Sequence, residues 1–586
     1  MPATVRLNAA ASAICAGLAL GLAPGSLGSQ GAALTRSQTA RIDSVFVAYD
    51  ATDVPGCAVA ISRHDTLLFD NAWGMANLEQ SIPNTPETFF ESGSVAKQFT
   101  AAAILRLAQQ GKLSLDDEVR KYVPELPVYD APITIRHLIN HTSGLRDWGV
   151  LVAIGGWTRG TRAYTHAHVL DMIGKQRSLN FPVGTQYLYS NSNYSLLAII
   201  AERVSGKTLA EYTKAELFDP LGMTHTSWRD DYQRIVPGRA QAYAGDGKSW
   251  RLSMPFESTY GHAGVLTTVG DLLKWNANLA SKRVGGEQFI AMETTRGRLK
   301  DGREIKYAAG LVIDTFQGLT EIKHDGFTAG YRAYLARYPE PGIAVAMLCN
   351  AANVNPTDMA RRVAAVVLPP YTPAVSPADT IRRKLSAAQL ASIQGYYRAS
   401  KSDDPLHFIG ADGRLLMTNG PLFLPLSPTH FISVTGSTHL LFDRARRGSM
   451  RAWTEGFDSV EYVRVDPPRD GGSFGEYAGK FISDEADAIL AIAWEANGLT
   501  MKRPSATKVS MTPIYEDGFW AQGYYVKFTR GKDRKVNGLL ITAGGVRNLR
   551  FDKMKASYRA SVSTRFTRLP FRSSLPIEVR EGGSTV

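Results

Sequence analysis

At 586 residues, 44% hydrophobic and 20% charged, the chain is too apolar for disorder and too long for one core, so two to four domains are expected. Its net charge of +12 comes from scattered Lys and Arg, with modest concentrations at 444–447 and 530–535. No reading element accompanies them, which excludes a nucleic-acid module and leaves solubility and weak attraction to anionic polymers. The cysteines offer no metal cluster, and no cofactor is expected.

In chain order, Arg6, the apolar run 9–22 and small residues at 26–28 predict a secretory signal over 1–28, against the alternative of an uncleaved anchor. The apolar run is short for a span and no other segment approaches the needed length, so an exported protein, periplasmic or secreted and without a membrane span after cleavage, is expected. Ile14 stands before Cys15 where a lipoprotein signal has a small residue, so no lipidation is expected. Cys57 and Cys349 each lie in a strand-like run. A bridge is open if those strands are neighbours in an exported protein, but the preferred reading is two buried thiols.

Early strands are expected at 57–62 and 66–73. Ser94-Val95-Ala96-Lys97 then heads an apolar helix running to Gly111, which suits a left-handed stop. The spacing puts a hydroxyl and an amine one turn apart on one face, a serine with a resident base. About one or two chance copies of Ser-x-x-Lys are expected in such a chain. Ser505 to Lys508 is one, placed after Pro504 with no helix to head.

Tyr189-Ser190-Asn191 precedes the helix 196–202, with Tyr and Asn pointing the same way. A capping box starts at Thr268. A meander of strands is expected at 307–314, 319–324, 331–338 and 342–350, giving an α+β plan of helical lobe beside antiparallel sheet. His324-Asp325-Gly326 ends one of those strands, where Gly326 lets a substrate backbone approach and the strand edge offers N–H groups to a carbonyl oxygen. His262-Ala263-Gly264 repeats the pattern but runs towards a helix, so it reads as a decoy.

After a Pro-rich joint at 371–384 the texture changes to short strands. Gly395-Tyr396-Tyr397 matches Gly479-Lys480-Phe481, and Pro425 and Phe431 match Pro513 and Phe519. A repeat of roughly 85 residues fits a duplicated antiparallel β-barrel domain with a packing and shielding role.

The three motifs, in this order and on these elements, resemble the active site of the serine β-lactamase and penicillin-recognising family, whose pattern is Ser-x-x-Lys, Tyr-x-Asn and Lys/His-x-Gly. The stretches 135–145 and 264–268 share its texture. With His in the third motif and two trailing lipocalin-like barrels, the chain looks most like the D-aminopeptidase branch of the S12 peptidases.

The resemblance implies a β-lactamase-like serine hydrolase domain over 29–370, barrels at 385–466 and 467–575, and a tail at 576–586. It implies that Ser94 is acylated, that Lys97 and Tyr189 share its proton, and that Asn191 holds Lys97 and a substrate amide. The choice of base between Lys97 and Tyr189 stays open. Ser94, Gly326 and Phe327 would serve the substrate and oxyanion hole through the Ser94 and Phe327 N–H groups, and His324 completes the site. His141 and Gly144 are taken as structural.

The resemblance further implies cleavage of amide bonds in small peptides, D-residues among them, with an ester or β-lactam-like substrate as alternatives. A non-catalytic binder of peptidoglycan fragments is the alternative of another class. β-Lactam hydrolysis as the main activity is disfavoured, because His324 is mostly neutral where those enzymes keep a permanent cation. A hairpin of the second barrel, near Glu516-Asp517-Gly518, is expected at the catalytic mouth. Oligomeric state is left open.

Overall fold

The computed structural model describes residues 33–555 apart from 158–161, 372–380, 382, 401–403, 419, 435–436, 444–447, 455–458, 469–473, 497 and 505–507. The expected signal segment, most of the Pro-rich joint, the tail and much of the Ser505 copy of the motif lie outside the described residues. No helix among the described residues is long and apolar enough to cross a membrane.

Apolar runs make the central sheet. Strands β1 (Cys57–Arg63), β2 (Thr66–Trp73), β3 (Val312–Phe316), β4 (Leu319–Thr328), β5 (Tyr331–Tyr338) and β6 (Ile343–Cys349) form six antiparallel strands in the order β3-β4-β5-β6-β1-β2. β1 and β6 are covered on both faces and are almost wholly buried. Helices Arg36–Phe46 and Pro356–Val367 pack on one face through Ile42, Phe46, Val363 and Val367. The other face carries the helical lobe, whose centre is α1 (Lys97–Gln109), buried nearly all round.

The expected strand at 307–314 is displaced to Val312–Phe316, because Gly310 turns the chain back onto the head of α1. Gly310 has φ 73°, and a Cβ there would come within 2.7 Å of the Gln98 Cα. Tyr307, left outside the strand with a single bridge to Val312, is thereby delivered to the site.

Cys57 and Cys349 face each other in the β1–β6 register and are disulfide-bonded, with sulfurs 2.08 Å apart. The reading of two buried thiols is corrected: adjacent strands in this register bring the two side chains together. The bond closes a separation of 292 residues. Replacing both cysteines by alanine is expected to cost about 2–5 kcal/mol of unfolding free energy, measurable by denaturant titration. An unchanged midpoint would count against a structural bridge.

Both trailing segments are closed eight-stranded antiparallel barrels. The first, from Gly395–Ala399 to Val460–Val465, closes through Tyr396 and Val465; the second, from Gly479–Ser483 to Val546–Lys553, closes through Phe481 and Lys553. Buried Phe408, Phe423, Phe431 and Phe442 fill the first lumen, and Phe481, Met501, Phe528 and Phe551 the second. Side chains fill both lumens, as is usual for eight-stranded barrels.

The second barrel is welded to the catalytic unit. Leu151 and Ile154 of α2 (Trp148–Ile154) join its core, and buried Arg146 pairs with Glu485 at 2.8 Å.

Candidate active site

The Ser94 turn is fixed before the helix begins. Ser94 lies in a 3₁₀ turn, Gly93–Ala96, and the α-helix starts at Lys97, so nucleophile and amine straddle the junction. Phe90–Glu91 pairs with strand Val265–Thr267, the Ser92 N–H donates to the Val265 carbonyl at 2.8 Å, and buried Arg229 donates to Glu91 at 2.8 Å. The helix ends as expected, with Gly111 at φ 68°.

Strand β4 reaches the turn backbone to backbone. Its pairing with β3 stops at Lys323, which leaves residues 324–328 open on that side. A Cβ on Gly326 would come within 2.1 Å of the Ser92 carbonyl, and one on Gly93 within 2.7 Å of the Phe327 nitrogen. The absent side chain of Gly326 therefore accommodates the Ser92 backbone rather than a substrate, which corrects the sequence expectation. Gly326 keeps the Phe327 amide beside the Ser94 turn.

Lys97 is buried, and its Nζ donates to Asn191 Oδ1 at 2.9 Å and to the His262 carbonyl at 2.6 Å, and lies 3.1 Å from Ser94 Oγ. It also sits 4.7 Å from the centre of the Tyr189 ring. Two of the three contacts are oxygens that only accept, so they take two Nζ protons. The third contact is the Ser94 hydroxyl, which accepts from Nζ and is also able to donate to it.

Tyr189 and Asn191 lie at the mouth of α3 (Asn191–Ser205), with Ser190 as its N-cap. The Tyr189 hydroxyl is buried, and burial pushes its pKa well above the usual phenol value. The Ser94 hydroxyl favours the phenolate slightly, without the geometry of a regular hydrogen bond. Tyr189 is thus a protonated acid at neutral pH.

The turn that carries these residues is held from two sides. His141, at φ 57°, packs its ring 4.4 Å from that of Tyr189 and accepts the Ser190 N–H on Nδ1, which supports its structural assignment. The Asp147 carboxylate accepts the Asn191 N–H at 2.7 Å while also capping α2 at Val150. Asp147 in turn donates its own N–H to the Gly545 carbonyl, in the turn between the last two strands of the second barrel. Gly545 also accepts from Asn180, and a Cβ there would meet the Asp147 Cβ at 2.8 Å and the Tyr189 carbonyl at 3.3 Å. The hairpin expected near Glu516-Asp517-Gly518 is instead bound up within its barrel, where Asp517 accepts from Arg530 and Tyr477.

His324 is buried, and its Nδ1 meets the Asp325 carbonyl at 2.6 Å while Nε2 meets the Tyr307 hydroxyl at 3.2 Å. A carbonyl only accepts, so Nδ1 carries the proton and Nε2 accepts from Tyr307. Burial pushes the imidazole down to about 4, the nearby Asp325 charge opposing it in part. His141, His137 and His166 are also lowered by burial.

A histidine lowered in the fold binds fewer protons than in the unfolded chain between its two pKa values, so stability is fully present above about 6.5 and is lost as pH falls towards 4. Melting temperature is expected to drop across that window, and His324→Gln to flatten part of the drop. A flat or rising profile on acidification would contradict this electrostatic reading.

The residues converge on a pocket of about 390 Å³ lined by Ser94, Tyr189, Asn191, His262, His324, Asp325 and Phe327. Sequence reasoning placed five of these in the site. It missed His262, dismissed as a decoy although its carbonyl holds Lys97, and it missed Tyr307 and Asp147 behind the pocket. Phe327 is half exposed at the rim, with the Arg332 guanidinium 5.2 Å from its ring centre. The only formally charged side chain on this lining is the carboxylate of Asp325.

Residues 42–368 match the family model described as Beta-lactamase. The chain is 28% identical over 344 residues to a D-aminopeptidase of Gluconobacter oxydans (strain 621H), covering 58% of this chain and 64% of that protein, so it spans less than two thirds of that relative's length. It is also 28% identical over 356 residues to penicillin-binding protein 4* of Bacillus subtilis (strain 168), covering 56% of this chain and 76% of that one. The octameric penicillin-binding protein homologue from Pyrococcus abyssi shares the fold, with TM-score 0.52, 23% identity and coverage of 73% of this chain and 98% of that one. With the family model matched over more than half of this chain, the chain belongs to the Beta-lactamase family.

Proposed function

We propose that the protein hydrolyses the amide bond that follows an amino-terminal residue of small peptides, D-residues included, through an acyl-enzyme on Ser94. The observation that carries this reading is the Lys97 amine, held by Asn191 and the His262 carbonyl with its third position on the Ser94 hydroxyl. Neutral Lys97 takes the Ser94 proton as Oγ bonds to the carbonyl carbon, and the resulting oxyanion is received by the Ser94 and Phe327 N–H groups. The C–N bond then breaks, and the leaving nitrogen takes a proton from the Tyr189 phenol, which Lys97 reprotonates. Water adds to the ester with the same groups in reverse order, releasing the acid and restoring Ser94. The raised pKa of Tyr189 supports its role as acid, and so Lys97 as base.

Substrate class is argued from charge. A neutral His324 offers no cation for a substrate carboxylate, whereas Asp325 at the lining suits an ammonium. That balance favours a free amino terminus over a β-lactam, in keeping with the relatives named D-aminopeptidase. The Cys57–Cys349 bond favours an oxidising compartment, which supports export.

Hydrolysis of D-alanine p-nitroanilide should exceed that of its N-acetylated form, of p-nitrophenyl acetate and of nitrocefin. Preference for the acetylated amide, or for nitrocefin, would overturn the assignment.

A further inference from the structure

We propose that the cleft where the catalytic unit meets both barrels is a second binding site, which holds the leaving part of a peptide substrate and selects one with an ammonium side chain. This rests on the amide-hydrolase reading above. The cleft has a volume of about 840 Å³, about twice that of the catalytic pocket and within the range of about 300–1,000 Å³ usual for ligand sites. Phe181 and Tyr187 line it from the catalytic unit, Asp404 and Glu461 from the first barrel, and Arg547 from the second.

Tyr187 joins the cleft to the chemistry. It stands two residues before Tyr189, and its ring centre is 5.8 Å from that of Tyr307, the partner of His324. Burial raises its phenol, and the charge of Asp325 on the catalytic lining raises it further, which places Tyr187 within the electrostatic reach of that carboxylate. We accordingly assign the leaving part of the substrate to the cleft along Tyr187.

The charges of the cleft select the ligand. Arg547 donates to Gln186 at 2.9 Å and lies over the Phe181 ring, Arg303 is held by Asp301, and Glu304 is paired with Arg298. Glu461, on the exposed side of strand Val460–Val465, makes no side-chain hydrogen bond or ion pair among the described residues. Asp404 is a second carboxylate from the same barrel. Two acids of one barrel, one of them uncommitted, fit a lysine-type ammonium arriving between Tyr187 and the barrel wall.

The tripeptide Ala-Lys-Ala, a model of the released part, allows binding to be measured on the full chain carrying Ser94→Ala, which removes the nucleophile and so prevents turnover, with the Glu461 variant made in the same background. Titration calorimetry is expected to show it binding about three- to fivefold more tightly than Ala-Leu-Ala, the scale of one exposed ion pair. Glu461→Gln should abolish that preference, with its melting temperature as the check of folding. No binding of either peptide, or the same preference with and without Glu461→Gln, would overturn the inference. The selective binding together with no wild-type hydrolysis of any D-alanyl amide would leave the cleft standing and sink the amide-hydrolase reading instead.

Discussion

Lys97→Met is expected to lower kcat/KM on the best amide substrate by about 10³- to 10⁴-fold, or about 4–5.5 kcal/mol of transition-state stabilisation. The substitution keeps the length of a buried side chain and removes the amine in contact with Ser94 Oγ. Tyr189→Phe should cost less, about 10²-fold, because it deletes one proton donor and leaves the base in place. The order of the two losses is the informative result. If Tyr189→Phe proved the more damaging, the phenol and not the amine would be taking the Ser94 proton. Loss of less than tenfold in Lys97→Met would remove the amine from the mechanism.

Asp147→Ala and Gly545→Ala are expected to slow Ser94 acylation by about 10- to 100-fold, although neither residue lines the pocket. Asp147 holds the Asn191 N–H, and Gly545 abuts both Asp147 and the Tyr189 carbonyl, so a methyl group at 545 must displace one of them. Asp147→Ala also removes the cap of α2 and should cost about 0.5–2 kcal/mol of stability. Gly545→Ala presses on Asp147 but leaves its capping carboxylate in place, so comparing the two variants separates positioning from loss of the cap. The loss should fall on kcat rather than KM, read from burst kinetics. An unchanged acylation rate in Gly545→Ala would show that the second barrel is no working part of the site.

The motifs were legible because their chemistry demands residue types at fixed local spacing, a hydroxyl and an amine one turn apart and a phenol and amide flanking a helix cap. The central sheet and the barrel repeat were legible from continuous apolar runs and recurrent turns. What escaped depends on contacts that leave no local mark. The His262 contribution is a backbone carbonyl, which any residue supplies, so the pattern around it carried no sign of use. The link from Arg146 to the Arg547 carbonyl spans 401 residues, and the choice between two hairpins of one barrel rests on how that barrel docks. The disulfide depended on the β1–β6 register, which local pattern leaves undetermined, and Tyr307 stands outside the strand because Gly310 presses against α1.

The central claim is that Ser94 is the atom that becomes acylated. Incubation of the full chain with a fluorophosphonate, followed by peptide mass spectrometry, tests it most directly. The account predicts a single adduct on Ser94 that Lys97→Met slows by orders of magnitude. An adduct on another residue, or none on a protein that melts cooperatively, would contradict it.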